Sequence, residues 1–254
     1  MSEPSNYEDY VNDESFLRAY NAYQAKYVTQ IRESDKVLIE LVRKIAACHD
    51  LARGPLRVLD IGCSTGNLLL HLKRLVPGIE LTGGDLAESS LVVCRDNRDL
   101  AGITFERLDL LDLGMEGRFD VIIANAVGFF LSWDEYRRAA RGVTRALRRG
   151  GTYIAFEWLH PFRNQDIVII ETTLGHPNGL RIYSRPMPKV VEVFEQAGFT
   201  EVRFMPFDLP IDLAMPGHDE EVVSYTKRAA DGTNLCFRGT LFQPWCHMSA
   251  VKAA

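Results

Sequence analysis

Apolar and polar positions follow two rhythms along this chain. Phe16, Tyr20, Tyr23, Tyr27 and Ile31 recur at steps of four and three, which predicts a helix from about residue 13. Ser34 or Asp35 is placed to cap a second helix, with Val37, Leu38, Leu41, Val42 and Ile45 along its inner face. From there short apolar runs alternate with helical stripes. Runs at 58–61, 79–82, 103–107, 119–125 and 152–156 read as strands, and 68–75 and 87–98 read as helices between them. Ser132-x-x-Glu135 is a capping-box pattern that opens a further helix with Tyr136, Ala139, Ala140, Val143 and Leu147 inward. Pro77-Gly78 and Gly150-Gly151 stop two of these helices. Four strand–helix repeats within about 100 residues require parallel strands joined by crossover helices, hence a doubly wound α/β sheet.

The rhythm changes after Phe156. Runs at 167–172 and 180–184 flank Gly175-His176-Pro177-Asn178-Gly179 and predict an inserted hairpin with a long turn. Pro188 opens a helix through Val190, Val191, Phe194 and Ala197 that Gly198 stops, and 199–204 reads as a sixth strand. Residues 205–220 are proline-rich and irregular, while 222–227 and 235–238 flank Asp231-Gly232 as a second hairpin. The pattern divides the chain into an N-terminal helical cap over residues 1–50 and an α/β domain over 51–254. Inserted hairpins are expected at about 160–186 and 207–240.

Composition narrows the classes. A chain of 254 residues with 46% hydrophobic and 25% charged residues can bury one large core. A net charge of −5 argues against nucleic acid as partner, because phosphate neutralisation wants a basic face. Arg137, Arg138, Arg141, Arg145, Arg148 and Arg149 fall on or just beyond one predicted helix and read as its solvated side. No apolar run is long enough for a membrane span, and the polar, acidic first residues are unlike a signal peptide. Five cysteines without a Cys-x-x-Cys pair suit reduced thiols in the cytoplasm.

The candidate chemistry begins at Asp60-Ile61-Gly62-Cys63-Ser64-Thr65-Gly66. A strand that turns through glycines into a helix offers free backbone N–H groups and a positive helix end to a ligand. A dinucleotide fingerprint would place glycine at positions 62, 64 and 67, where this chain has Gly62, Ser64 and Asn67. A phosphate-binding loop would place Lys after Gly66, and none follows. Asp85 comes 23 residues after Gly62, at the tip of the next strand. A carboxylate there accepts hydrogen bonds from ribose hydroxyls, as adenosine-type cofactors require.

Asp60-x-Gly62-x-x-x-Gly66 resembles the first motif of class I S-adenosylmethionine-dependent methyltransferases. Phe119-Asp120 with a polar tip at Asn125, Arg149-Gly150-Gly151, and Ala197-Gly198-Phe199 resemble later motifs of that family. The resemblance implies a Rossmann-like, mostly parallel seven-stranded sheet whose last strand runs antiparallel, with Pro244 at its bulge or edge. It implies S-adenosylmethionine as cofactor, with Gly62, Cys63, Ser64 and Gly66 around its methionine part. Asp60 before that loop, and Asp85 with Leu86 after the next strand, would also contact the cofactor. Asp109 would take the adenine amine with Leu108 or Leu110 against the ring, Asp112 being a weaker competitor, and Asn125 would sit beside the sulfonium. The N-terminal helices would form a lid, bringing Tyr27 and Arg32 to the cofactor.

The expected activity is methyl transfer to a small molecule, such as a sugar or secondary metabolite of natural-product type, at a hydroxyl or amine. Protein or RNA methylation, or non-catalytic binding of an adenosyl ligand, are the alternatives. Asn125-Ala126-Val127-Gly128 lacks the Pro-Pro-aromatic tip of amino-methylating nucleic-acid enzymes. A hydroxyl acceptor needs a general base, for which His160, then Glu157 and His247, are the candidates. No metal site is expected; a homodimer is compatible with the sequence.

Overall fold

The computed structural model of this protein describes residues 14–173, 176–217 and 222–254. The expectation of a loosely docked start at 1–12 therefore falls outside the described residues, as do residues 174 and 175. The rest of the long turn expected at 175–179 is already strand, since pairing with the preceding strand begins at His176.

The N-terminal stripe forms helix α1 (Glu14–Gln24), continues as a 3-10 turn (Ala25–Val28), and is followed by α2 (Glu33–Ala47). Neither Ser34 nor Asp35 caps α2. Arg32 is its N-cap and makes no side-chain capping bond, because Asp35 is buried inside the first turn and bonded elsewhere. The inner face carries Leu38, Ile39 and Val42.

Strands β1 (Leu56–Ile61), β2 (Ile79–Asp85), β3 (Thr104–Arg107), β4 (Phe119–Asn125) and β5 (Leu147–His160) alternate with α3 (Asn67–Leu75), α4 (Glu88–Asp96) and α5 (Trp133–Ala146). Then come β6 (Ile167–Thr173), β7 (His176–Pro186), α6 (Met187–Gln196), β8 (Phe199–Pro206), β9 (Ser224–Arg228), β10 (Asn234–Arg238), β11 (Leu241–Phe242) and β12 (Trp245–Lys252). The main sheet has nine strands: the expected seven run β3-β2-β1-β4-β5-β12-β8, and β6 and β7 join it off this path through β5. β1 to β5 pair in parallel, and β12 is antiparallel to both β5 and β8. Its bulge lies between Ser249 and Val251, not at Pro244, which precedes the strand where its missing N–H breaks no ladder.

Side chains alternate across the sheet. Leu59, Ile61, Ile122 and Ala124 pack under α5 and α6 on one face. Val58, Val121, Ile123 and Ile154 pack with α2 and α3 on the other. The predicted capping box is present, with Ser132 accepting from Glu135 N and Glu135 accepting from Ser132 N. Five of the six clustered arginines are exposed; Arg148 is half-buried and pairs with Asp120.

Two differences matter for the site. β5 runs on to His160 instead of stopping at Phe156, so 157–160 are strand interior. The hairpin β6–β7 pairs with this extension at Leu159 and His160. The second hairpin gains β11 and forms a separate three-stranded sheet, β11-β10-β9.

Candidate functional site

The turn after β1 is fixed by its neighbours before any ligand enters. Gly62 has φ +76°, and a Cβ there would lie 2.4 Å from Val127. Its N–H and that of Cys63 donate to the Gly84 carbonyl at 2.7 and 3.0 Å, which ties the loop to the end of β2. Ser64, itself at φ +49°, donates its N–H to Asp85 Oδ2 at 2.8 Å. Ala87 N–H donates to Asp85 Oδ1 at 2.9 Å. Asp85 thus braces both the glycine loop and the start of α4, with lone pairs left on each oxygen. Gly66, at φ +77°, is the N-cap of α3.

The N-terminal segment lies over this loop. Asn67, on α3, donates to the Gln24 carbonyl at 2.9 Å, and one turn later a ring nitrogen of His71 meets the Tyr27 carbonyl at 2.8 Å. Arg32 donates to Gln24 Oε1 and stacks its guanidinium 4.0 Å over the Tyr27 ring. Tyr23 and Tyr27 share a phenol–phenol hydrogen bond of 3.1 Å. Burial raises the Tyr27 pKa, but Tyr23, Arg32 and Lys26 outweigh it and leave the phenol below its ordinary value. Asn125, at the tip of β4, donates to Asp35 Oδ1 at 2.9 Å, joining lid to sheet.

Beneath the lid is an acidic basin lined by Arg32, Asp35, Asp60, Gly62, Ser64 and Asn125. Burial pushes the Asp60 carboxyl well above the usual range, and Asp35 and Asp85 push it further. Asp35 and Asp85 are themselves raised by burial, against the hydrogen bonds they accept. Asp60 Oδ1 and Ser64 Oγ are buried without a hydrogen-bond partner. The basin shares Gly62, Ser64 and Asn125 with the lining of a neighbouring cleft of about 730 Å³ counting its open part. Asp85, Leu86, Leu108, Leu110 and Phe130 line that cleft. Cys63 belongs to the basin, with its thiol pKa raised by contact with Cys94 and by burial. Asp109 is not among the lining residues; its Oδ1 accepts from Leu111 N–H at 2.8 Å, closing a tight turn with Asp112.

Asn125 and Ala126 also line a larger hollow, about 1420 Å³ with its open part, between the N-terminal segment and the β9–β11 sheet. Of the two inserted hairpins, only the second lines it.

The three base candidates lie elsewhere. Alternation along β5 points Glu157 to the α5 side, where it is fully buried. It accepts from Tyr136 at 3.3 Å and pairs with Arg185 at 3.8 Å. Burial raises its pKa to about 7, with Arg185 opposing. Arg185 also donates to the carbonyls of Gly128 (3.1 Å) and Leu131, so this buried cluster holds the turn after β4. His160 is buried at the β5–β7 junction, and burial lowers its pKa. His247 is buried beneath the hollow against Phe156 and Phe207, with Nε2 3.1 Å from the Ser34 carbonyl and its pKa pushed down to about 4 by burial. None of the three lines the cleft or the hollow.

Sequence reasoning passed over Gln24, Asn67, His71 and the rings of Phe207, Tyr225 and Trp245 that line the hollow. Asn67 and His71 carried a readable signal: two polar residues four apart on a leucine-rich helix.

Residues 58–151 match the family model described as a methyltransferase domain. The demethylmenaquinone methyltransferase of Thermus thermophilus is 33% identical over 122 residues, 47% of this chain and 54% of that enzyme. The chain thus spans about half the length of this curated relative. A Burkholderia thailandensis 1,6-didemethyltoxoflavin N1-methyltransferase superposes with TM-score 0.58 at 17% identity, covering 100% of this chain and 92% of that one. The 4+2 cyclase SpnF superposes with TM-score 0.55 at 20% identity, covering 87% and 82%. At these identities the likeness is one of fold, and the cyclase shows that the fold alone does not name a reaction.

Proposed function

We propose that this chain, whose residues 58–151 match a methyltransferase-domain model, is a class I S-adenosylmethionine-dependent enzyme that transfers the methyl group of S-adenosylmethionine to a small-molecule acceptor. The observation that carries this reading is the acidic basin under the lid, with Asp60 Oδ1 and Ser64 Oγ buried and unpartnered. Three carboxyls raised by burial favour a ligand that brings positive charge, and disfavour a dinucleotide with its anionic phosphates.

The residues present fit that ligand. Asp60, with Asp35 behind it, is placed to accept from an ammonium, and Ser64 to donate to a carboxylate. Arg32 is available to the same carboxylate, held by Tyr27 and Gln24. The free lone pairs of Asp85 suit ribose hydroxyls, and Leu86, Leu108 and Leu110 offer an apolar slot for adenine. Asp109 is left out of direct contact in this assignment because it does not line the cleft.

Bound there, S-adenosylmethionine supplies an electrophilic methyl: the acceptor lone pair bonds to carbon as the carbon–sulfur bond breaks and its electrons remain on sulfur. In-line displacement of this kind is accelerated chiefly by positioning. Asn125 and Ala126 stand where cleft meets hollow, so an acceptor in the hollow approaches past them. We assign no proton transfer to Glu157 or His160, since neither reaches that junction.

Calorimetry with S-adenosylhomocysteine and with NAD tests the reading. Saturable binding of the first and none of the second is expected; the reverse result overturns it.

A further inference from the structure

The hollow beside the cofactor cleft has its own chemistry, and an inference from it rests on the methyl-transfer reading. Its floor is Phe156 of β5 and Trp245 of β12, stacked at 4.5 Å with planes 9° apart. Phe207 stands edge-on to Phe156 at 5.4 Å. Leu209, Ile211 and Leu213, from the connection between β8 and β9, add an aliphatic wall. Ile211 is 46% exposed there, an apolar side chain left facing open space. Tyr225 continues the aromatic surface onto the small sheet, stacked on Phe237 at 5.5 Å.

Polar groups are segregated in this hollow. Tyr23, Lys26, Tyr27 and Glu33 gather on the lid side, next to the cofactor cleft. Among the described residues the cap side offers fewer polar groups, those of Ser224, Tyr225, Cys236 and Gln243, among its rings and aliphatic chains. A sugar carries hydroxyls around its whole perimeter, and each one buried without a partner is costly. A flat apolar body with one polar edge matches the observed division, because aromatic faces and edges pair well with rings set flat and edge-on.

We propose that the acceptor is a planar aromatic molecule, seated on the Phe156–Trp245 floor under the β9–β11 sheet. Its nucleophilic substituent points to the Asn125–Ala126 junction. Phe207, Tyr225 and Trp245 then set which acceptors are used. The β6–β7 hairpin acts behind them: Glu171 accepts from Arg238 at 2.6 Å and so props the small sheet.

The test is a titration of the full chain, with S-adenosylhomocysteine present, using 1-naphthol and methyl β-glucopyranoside as probes and tryptophan emission and calorimetry as readouts. 1-Naphthol is expected to bind saturably and quench emission. Trp245→Phe should remove most of the quench, and Phe207→Ala should weaken naphthol about tenfold or more, a loss typical of a central interface ring. Both variants should keep S-adenosylhomocysteine affinity within about twofold, which also reports that they fold. Binding of the glucoside in place of naphthol overturns the proposal, as does naphthol binding that neither substitution alters. Absence of S-adenosylhomocysteine binding overturns the methyl-transfer reading instead, whereas its binding without saturable naphthol binding overturns the acceptor class alone.

Discussion

Asp35, Asp60 and Asp85 crowd one basin, and their raised pKa values share burial as the first cause: it outweighs Arg32 and the Asn125 hydrogen bond at Asp35 and the backbone hydrogen bonds at Asp85, and at Asp60 the two neighbouring carboxylates add to it. Asp85 differs from the others in what it holds, the N–H groups of Ser64 and Ala87. Asp85→Ala therefore removes a ribose acceptor and a loop brace together. Affinity for S-adenosylhomocysteine should fall ten- to a hundredfold, about 1.5–3 kcal/mol, by calorimetry. Unchanged affinity would remove Asp85 from the site. Glu157 makes a separate prediction. Its carboxyl is raised from 4.5 to about 7, so the folded protein keeps this proton in a range where the unfolded chain has lost it. Stability from this group is complete below pH 4.5 and declines until about pH 7. Relative to Glu157→Gln, which cannot ionise, the native protein should therefore lose ground between pH 5 and pH 8, by up to about 3 kcal/mol. Thermal melts of the two at both pH values measure this; a constant difference would contradict the shift. Gly62, Ser64, Asp60 and Asp85 were legible because each sits within a short local motif. Asp35 and Gln24 were not, since their partners Asn125 and Asn67 lie 90 and 43 residues away in sequence.

At the scale of elements, the glycine loop and the turn after β4 constrain one another. Gly62→Ala would strain a left-handed backbone and press on Val127, costing roughly 1–3 kcal/mol. Thermal melts should show that loss, and calorimetry a weaker S-adenosylhomocysteine complex. Adding Val127→Ala should recover part of the stability, because it relieves the contact and leaves the backbone strain. The turn after β4 is held from behind by Arg185, so Arg185→Met leaves Glu157 buried without its cation. A loss of about 3–5 kcal/mol is expected, reduced when Glu157→Met is added, as a two-by-two cycle of denaturant melts would show. Most strand and helix positions were readable from hydrophobic period, whereas the order of the strands in the sheet was not. The end of β5 was not: 157–160 are apolar enough to extend a strand, but that extension is stabilised by pairing with β7 and β12, which no local pattern reports. One consequence is that Glu157 faces the α5 side, away from the cleft where a strand-tip position would have put it.

Across the whole molecule, three layers of control surround the junction at Asn125. The sheet supplies the glycine loop, the N-terminal segment closes over it through Asn67 and His71, and the β9–β11 sheet bounds the hollow beside it. The extra chain beyond Phe156 was readable as two inserted hairpins, but which of them borders the hollow was not, because both show the same alternation. Their difference lies in tertiary pairing: β6–β7 joins β5, while β9–β11 stands free of the main sheet. Among the described residues no helix is long and apolar enough to cross a membrane. If the acidic basin and the cleft hold one adenosyl ligand, calorimetric titration of the native chain with S-adenosylhomocysteine should give saturable binding at one site per chain, weakened by Asp85→Ala. No heat of binding at millimolar ligand, or binding that Asp85→Ala leaves untouched, would contradict it.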